Sequence, residues 1–447
     1  MFETIRNAWK LEDLRKKIFF TLLIVIIFRI GSAIPVPFVD GAALKMLMDP
    51  ITQSSSSLLS YLNAMSGGAF ANATVFAMSI TPYINASIII QLLTVAIPAL
   101  ERLAKDGEEG RKKLGAITRY ATVILALIQG VAYYFFLRNS VVELESGEST
   151  YIIESGFRTG FSGVFAALII VLCMTAGSAM VMWLGEQVNQ KGIGNGISIL
   201  LFAGIVAQIP TIIASLIEYF KFGATYARFY FFVPLTILLF LGLIWVIVFM
   251  HDAERRLPIQ YAKRVVGRRV YGGQSTHMPI KVGMSGVMPI IFASSILSIP
   301  STIVLFTGEP AAGSFWAKMV NALGPTGWLY SVLYFFLIIA FAYFYTAIQY
   351  NPLEMANNLR KNNGMIPGIR PGKPTSDYIS KILSKITLIG ALFLALIAIL
   401  PTIMAAITKM NITTGGTSII IVVGVALETV RQIESLMMMR HYKGFLE

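Results

Sequence analysis

Apolar residues in this chain gather in long unbroken runs and do not alternate with polar ones. Ten runs have the length at which a helix crosses hydrocarbon, about 17–25 residues. They cover residues 18–36, 71–97, 115–137, 158–185, 196–218, 229–251, 283–305, 327–349, 379–400 and 416–437. Each is expected to be helical, because a bilayer holds no water to satisfy free backbone groups. The two-residue period of an outer-membrane barrel strand is missing. Ahead of the first run, Phe2, Ile5 and Trp9 share one helical face among charges, the pattern of an amphipathic helix lying on a membrane surface. The run starting at Ile18 is too long for a signal-peptide core and lacks a small-residue cleavage site, so it reads as a retained span.

Composition agrees. Of 447 residues, 56% are apolar and 13% charged, and the mean hydropathy is +0.71. A soluble domain carries about 25% charged residues. A soluble enzyme and a disordered chain are both excluded. Cys173 is the single cysteine, which removes any disulfide framework or cysteine metal site, and His251, His277 and His441 lie far apart. Neither a metal nor a cofactor is expected.

Net charge is +13, and its distribution orients the chain. Lys and Arg crowd before the first run (Arg6, Lys10, Arg15, Lys16, Lys17), at 102–113, at 255–281 and at 360–381, while the gaps between these hold one or two or none. High and low alternate, so the positive-inside rule puts both termini in the cytoplasm and requires an even number of spans. The sparsely charged gap around Lys191 is the exception. The expected organisation is a cytoplasmic amphipathic segment 1–17, a first half 18–218, a second half 229–437 with large cytoplasmic loops 252–280 and 350–378, and a tail 438–447. Five spans per half implies inverted topology, with any pathway between the halves.

Chemistry-bearing motifs are scarce. There is no phosphate-cradling GxxxxGK[ST] and no HExxH, and Gly192-Ile-Gly194-Asn-Gly196 precedes a span where a dinucleotide fingerprint would follow a strand. At the centres of the runs charges are almost missing; Arg29 sits near the outer end of the first and Glu428 toward the cytoplasmic side of the last. Ion-coupled transporters need intramembrane titratable groups, and an intramembrane enzyme needs a catalytic pair. Neither class finds its residues here, although composition by itself leaves a passive channel and a solute transporter comparable.

Four segments stand out. Ser79–Leu93 carries Pro82 within a run, where it permits a bend, and sets Asn85, Ser87 and Gln91 among isoleucines, as interhelical glue would. The stretch 58–71 is apolar enough to enter a membrane and too short to cross one. Gly67-Gly68 gives it a hinge, so it is either a half-inserted plug or a helix resting at the interface. Trp183–Leu201 packs three glycines into a turn between two runs. The two basic loops are each too long for simple connections, and the first interleaves Val265, Val266, Val270 and Tyr271 with its charges. Such cationic surfaces suit anionic lipid, an acidic protein or ribosomal RNA.

The segments Pro82-Tyr-Ile-Asn-Ala-Ser-Ile-Ile-Ile-Gln-Leu-Leu93 and Trp183-Leu-Gly-Glu-Gln…Gly-Ile-Gly-Asn-Gly-Ile-Ser198 resemble the signatures of the SecY family, the central subunits of bacterial protein-conducting channels. Tyr261-Ala-Lys-Arg264, Gln274-Ser-Thr-His277 and Pro367-Gly-Ile-Arg-Pro-Gly372 extend the resemblance over nearly the whole chain. It implies an all-α membrane protein of ten transmembrane helices, in two inverted five-helix halves that close as a clamshell around an hourglass pore. The pore ring would be Ile80, Ile84, Ile197, Leu201, Ile291 and Ile421, with Leu201 where a close relative has isoleucine. The plug would span about 58–70, with Leu58, Leu59, Tyr61, Leu62, Asn63, Met65, Gly67, Gly68 and Phe70. Spans two and three against seven and eight would form a lateral gate. Lys263, Arg264, Arg268, Arg269 and Arg370 would dock the motor ATPase SecA or the ribosome. SecE and SecG would be small membrane partners, and precursors bearing signal sequences would be the cargo. The site would be the plasma membrane, and the chain would not be an enzyme.

Physics is compatible with such a ring. A passing polypeptide presents arbitrary side chains, so specific donors in a gate would stall on some of them. Branched aliphatics offer no directional bonds, flex around the chain, and exclude water when closed. Taken singly, each of these residues reads as ordinary packing.

Overall fold

The computed structural model describes residues 6, 9–53, 63, 66–143, 149–224, 226–261, 264–266, 269–271, 275–283, 286–300, 303–304, 314–323, 327–408 and 416–443. Helices dominate them. α1 (Glu12–Gly31) and the short α2 (Gly41–Gln53) lead to α3 (Thr81–Ala96) and α4 (Pro98–Lys105), then to the long α5 (Gly107–Asn139) and α6 (Gly160–Lys191). α7 (Gly196–Val206), α8 (Ile209–Phe222) and α9 (Arg228–Asp252) follow. The second part holds α10 (Met288–Leu297), α11 (Phe315–Ala322), α12 (Trp328–Gln349), α13 (Pro352–Lys361), α14 (Lys373–Thr408) and α15 (Gly416–Lys443).

Among the described residues six helices are long and apolar enough to cross a membrane, or seven if α3 and α4 count as one span. The runs at 71–97 and 283–305 were each expected as one helical span, the first with a bend permitted at Pro82, and the structure corrects the first. In the first, helix begins only at Thr81; Ala73 and Ser79 take positive φ of 44° and 49°, which no helix tolerates. Pro82 therefore sits in the first turn of α3 and does not bend a span, since a missing N–H costs nothing at a helix start. The bend falls instead at Ile97, held extended by Pro98, and α4 leaves at 102°. In the second, α10 (Met288–Leu297) is followed by further helical residues at 299–300 and 303–304.

Between α5 and α6, β1 (Val141–Glu143) pairs antiparallel with β2 (Ser149–Tyr151). The two basic loops also hold strands. β3 (Glu254–Tyr261) runs antiparallel to β6 (Ser275–Lys281), from Glu254 opposite Lys281 to Gln260 opposite Ser275. β4 (Arg264–Val266) and β5 (Arg269–Tyr271) pair as a short hairpin between them. From the other loop, β7 (Gly364–Met365) adds to the free edge of β3, giving the order β6-β3-β7. β3 alternates as a half-buried strand should: Leu257 and Ile259 are buried between exposed Arg256, Pro258 and Gln260. They meet Ile280, Leu359 and Ile366 and the first turns of α14 at Ile379 and Ile382, so the two loops share one hydrophobic core. The strand signal was present in the valines at 265, 266 and 270, but high charge masked it.

A larger core joins both parts of the chain. It includes Phe28 of α1, Ile88 of α3, Leu200 of α7, Ile247 of α9, Phe292 of α10, Ile338 of α12, Ala395 of α14 and Val425 of α15. A separate cluster, with Leu44, Phe70, Tyr133, Leu137, Ile152 and Met174, lies around α2, α5 and α6.

Candidate functional site: an apolar waist under a polar cavity

Four helices supply the six expected ring residues. Ile80 is the cap residue of α3, and Ile84 lies one turn on, its N–H donating to the Ile80 carbonyl at 3.1 Å. Ile197 opens α7. The Asn195 side chain accepts from the Ile197 N–H at 3.2 Å, and the Asn189 Oδ1 accepts from the Gly196 N–H at 2.7 Å, which meets the free donors of a helix start. Gly196 permits this geometry alone: a Cβ there would lie 1.9 Å from the Gly185 carbonyl oxygen, so α6 and α7 touch backbone to backbone. Leu201 follows one turn after Ile197 on the same face. Ile291 sits in the first turn of α10, and Ile421 in α15, where Gly424 makes room for Val287 at 2.6 Å from a built Cβ.

All six belong to one hydrophobic cluster. Ile80, Ile84, Leu201, Ile291 and Ile421 are no more than 6% exposed, and Ile197 packs against them partly buried.

Against three of them lies a cavity of about 260 Å³, lined by Leu201, Ile291 and Ile421 together with His251, Lys281, Glu428 and Arg431. Lys281 ends β6 and His251 nearly ends α9, so the cavity opens on the face that carries the basic sheet. Glu428, one of the few charges inside a run, is exposed into this space and so keeps its hydration. Arg431 lies inside the last apolar run, and no motif singles it out in the sequence. It ties α15 to the end of α9: Nη2 donates to the His251 carbonyl and the Asp252 carboxylate, each at 2.5 Å. Its Nη1 lies 3.3 Å from His251 Nδ1. Arginine only donates, so Nδ1 is the acceptor and the ring proton is on Nε2. Glu428 and Arg431 are spaced i, i+3, and that one-face pairing was the signal available in the sequence.

Of the expected plug residues, Leu58, Leu59, Tyr61, Leu62 and Met65 lie outside the described residues. Asn63, Gly67, Gly68 and Phe70 are described, and side chains from two helices and from the turn between α7 and α8 hold this stretch. Gln208, between α7 and α8, donates from Nε2 to the Asn63 carbonyl at 2.8 Å. Arg29 of α1 donates to the Gly67 carbonyl at 3.3 Å. Tyr133 of α5 donates to the Phe70 carbonyl at 2.7 Å, its ring edge-on to Phe70 with centroids 4.6 Å apart. Gly67 takes φ +69° and lies so close to Gly204 of α7 that a Cβ would meet its carbonyl oxygen at 2.9 Å.

Among the expected docking residues, Arg370 is exposed between Gly368 and Gly372, both at positive φ, and its carbonyl accepts from Thr375 Oγ1 at 2.8 Å. Arg264 and Arg269 begin the two strands of the β4–β5 hairpin. Lys263 and Arg268 lie outside the described residues. The sheet that carries the hairpin also takes β7 from the loop of Arg370, so both sets belong to one module.

The family model for SecY matches residues 74–430. The chain belongs to the SecY family. The protein translocase subunit SecY of Streptomyces scabiei is 45% identical over the full length of both chains, and that of Corynebacterium glutamicum is 42% identical over 99% of each. Among solved structures, a protein-conducting channel superposes with a TM-score of 0.60 over 94% of this chain and 92% of that one, at 18% identity. A SecY studied for its plug domain gives 0.62 at 16% identity, covering the same shares. Sec61 in a canine ribosome–channel complex gives 0.57 at 16% identity, again over 94% and 92%. These structural likenesses establish the fold. With its long apolar helices, this SecY-family chain is a multi-pass membrane protein.

Proposed function

We propose that this SecY-family chain is the channel subunit of a protein translocase, passing unfolded secretory polypeptides across the plasma membrane and releasing apolar segments sideways into the bilayer. It is a conduit and not an enzyme. Ten spans in two inverted halves, 18–218 and 229–437, close as a clamshell, with both termini in the cytoplasm. One observation supports the reading: six aliphatic side chains from four separate helices belong to a single hydrophobic cluster, and three of them, Leu201, Ile291 and Ile421, line a cavity together with His251, Lys281, Glu428 and Arg431.

A chain entering that cavity meets charged, hydrated walls and then a waist without hydrogen-bonding groups. Water and ions have no partner there, and the waist is sealed at rest. The segment 58–70 closes it from the far side. An apolar segment in the waist gains by moving between α3 and α10 into lipid, whereas a polar one does not, so sorting follows hydrophobicity. The driving force comes from partners docked on the cytoplasmic module: SecA through Arg370, and SecA or the ribosome through Lys263, Arg264, Arg268 and Arg269. SecE and SecG brace the chain in the membrane, and anionic lipid meets its basic face.

The experiment is reconstitution of the purified chain with candidate membrane partners, a motor ATPase and a radiolabelled precursor, scored by protease protection. Protected precursor that depends on the motor and on this chain is the expected result. Protection that persists without the chain rejects the proposal.

A further inference from the structure

At the end of α9 remote from the basic sheet, the turn into it from α8 is built from aromatic rings and two cations. α9 has 25 residues, so the turn stands about 37 Å from the sheet at about 1.5 Å per residue. Phe220 packs edge-on against Tyr230, centroids 5.1 Å apart at 83°. Phe229 is held by Tyr219 at 5.6 Å and by Tyr226 at 6.3 Å. Gly223 closes the turn: a Cβ there would meet the Phe220 carbonyl oxygen at 2.8 Å and the Tyr230 ring at 3.0 Å. Tyr226 and Phe231 turn outward, 57% and 67% exposed. Rings of this kind at span ends mark the level of lipid headgroups.

The Arg228 guanidinium lies over this platform, 5.0 Å from the Phe229 ring centroid and 5.5 Å from that of Tyr226. A guanidinium held by cation–π contact is exposed here and presents planar N–H donors of the kind that pair with phosphate. Lys221, exposed in the last turn of α8, adds a second cation. Glu218 lies one turn before Lys221 on the same helix, so the turn carries two positive charges against one negative, with Arg228 the cation remote from the carboxylate.

We infer that this turn binds the phosphate of an anionic phospholipid, in the leaflet opposite the basic sheet, through Arg228 and secondarily Lys221. The outward rings receive the start of the acyl chains. This goes beyond the channel reading and does not require it. A lipid held here would anchor the connection between residues 218 and 229, whose Lys221, Ala224, Tyr226, Ala227 and Arg228 are exposed.

The test uses the full chain, delipidated in detergent and titrated with phosphatidylglycerol, with bound lipids counted by native mass spectrometry. Wild type is expected to hold one more phosphatidylglycerol than the double variant R228Q/K221Q, with affinity falling about fivefold per cation removed. R228Q alone should lose more than K221Q alone, and R228K should restore part of the loss. A matched thermal midpoint in all variants establishes that the turn is folded. Identical counts and affinities in wild type and the double variant would overturn the inference. Equal retention of phosphatidylcholine at the same residues would also overturn it, and so would displacement of the lipid by inorganic phosphate at equal concentration, which would assign the site to free phosphate.

Discussion

Replacing Gly67 by alanine isolates what holds the base of the 58–70 segment in place. Two costs arise together. Gly67 has φ +69°, a left-handed conformation that costs a residue with a Cβ about 1–2 kcal/mol. The new Cβ would also stand 2.9 Å from the Gly204 carbonyl oxygen and 3.1 Å from Arg29 Nη1. Arginine can move aside, but the α7 backbone cannot, so the base must lift by several tenths of an ångström. That stretches the Gln208–Asn63 bond, and a lost hydrogen bond costs about 1 kcal/mol. The seated state is then disfavoured by roughly 2–3 kcal/mol, a population shift of about 30- to 150-fold. Gly68 is the internal control. It has φ +89°, yet an added Cβ there meets nothing within 4 Å, so G68A bears the backbone cost alone. The assay is conductance of the purified chain in planar bilayers without precursor. G67A should open spontaneously far more often than wild type, with G68A between the two and Q208L near G68A. A G68A channel as leaky as G67A, or a G67A channel as tight as wild type, would refute the close-contact reasoning.

Other outcomes follow from the same geometry. Replacing Ile84, Ile291 and Ile421 together by glycine removes three of the buried side chains of the waist and should give steady ion leak in the same bilayers; unchanged conductance would remove them from the pore. Arg370→Glu reverses an exposed charge with no packing role, so motor-driven export should fall steeply while the amount of chain in the membrane is unchanged, checked by precursor protection against immunoblot. Gly196→Ala drives a methyl to 1.9 Å from the Gly185 carbonyl oxygen and should abolish accumulation of folded chain, whereas Gly115→Ala, with nothing within 4 Å in α5, should be neutral or stabilising by about 0.5–1 kcal/mol in thermal unfolding. Ile259→Ala in the sheet core, buried to 3% exposure, should cost about 2–5 kcal/mol locally and make the 252–281 segment susceptible to limited proteolysis while the membrane helices stay protected.

The long apolar runs were legible because hydrocarbon imposes one solution on the backbone, and α5, α6, α9, α12 and α14 fall where the hydropathy puts them. What was not legible depended on contacts distant in sequence. Residues 71–80 are as apolar as a span, and nothing local says that they turn; the reason is the packing of Phe76 against Phe28 and of Val75 against the bare face of Gly177. The sheet was hidden because β3 finds half of its cover in Leu359, Ile366 and Ile379, about a hundred residues on. As for the site, the ring residues came from resemblance and not from pattern, since an isoleucine among isoleucines carries no mark. Gln208, Tyr133 and Arg431 were missed altogether: each acts on a backbone carbonyl or a side chain far along the chain.

The distribution of polar and apolar ties bears on how such a molecule opens. The long-range polar ties named here each stay within one or the other of the proposed halves. Gln208 to Asn63, Tyr133 to Phe70 and Arg119 to Glu186 at 2.7 Å all lie in residues 18–218. Arg431 to Asp252 and Tyr343 to Ser384 at 3.1 Å lie in 229–437. Where the two parts meet, as α3 meets α10 and α7 meets α15, the shared cluster is hydrocarbon on hydrocarbon. Near the first turns of α1, Leu14 and Ile193 meet Ile433 in the same manner. Hydrogen bonds are directional and fail abruptly when stretched, so they hold each part rigid. Apolar contact has no preferred direction, and its cost rises only with the area parted, about 25 cal/mol per Å². Lipid tails or an apolar segment of a passing chain can cover that area as it is exposed, which returns most of the cost. A joint made this way separates by degrees and closes again without having to find a register, and the proposed ring of Ile and Leu would be the same joint continued to its centre.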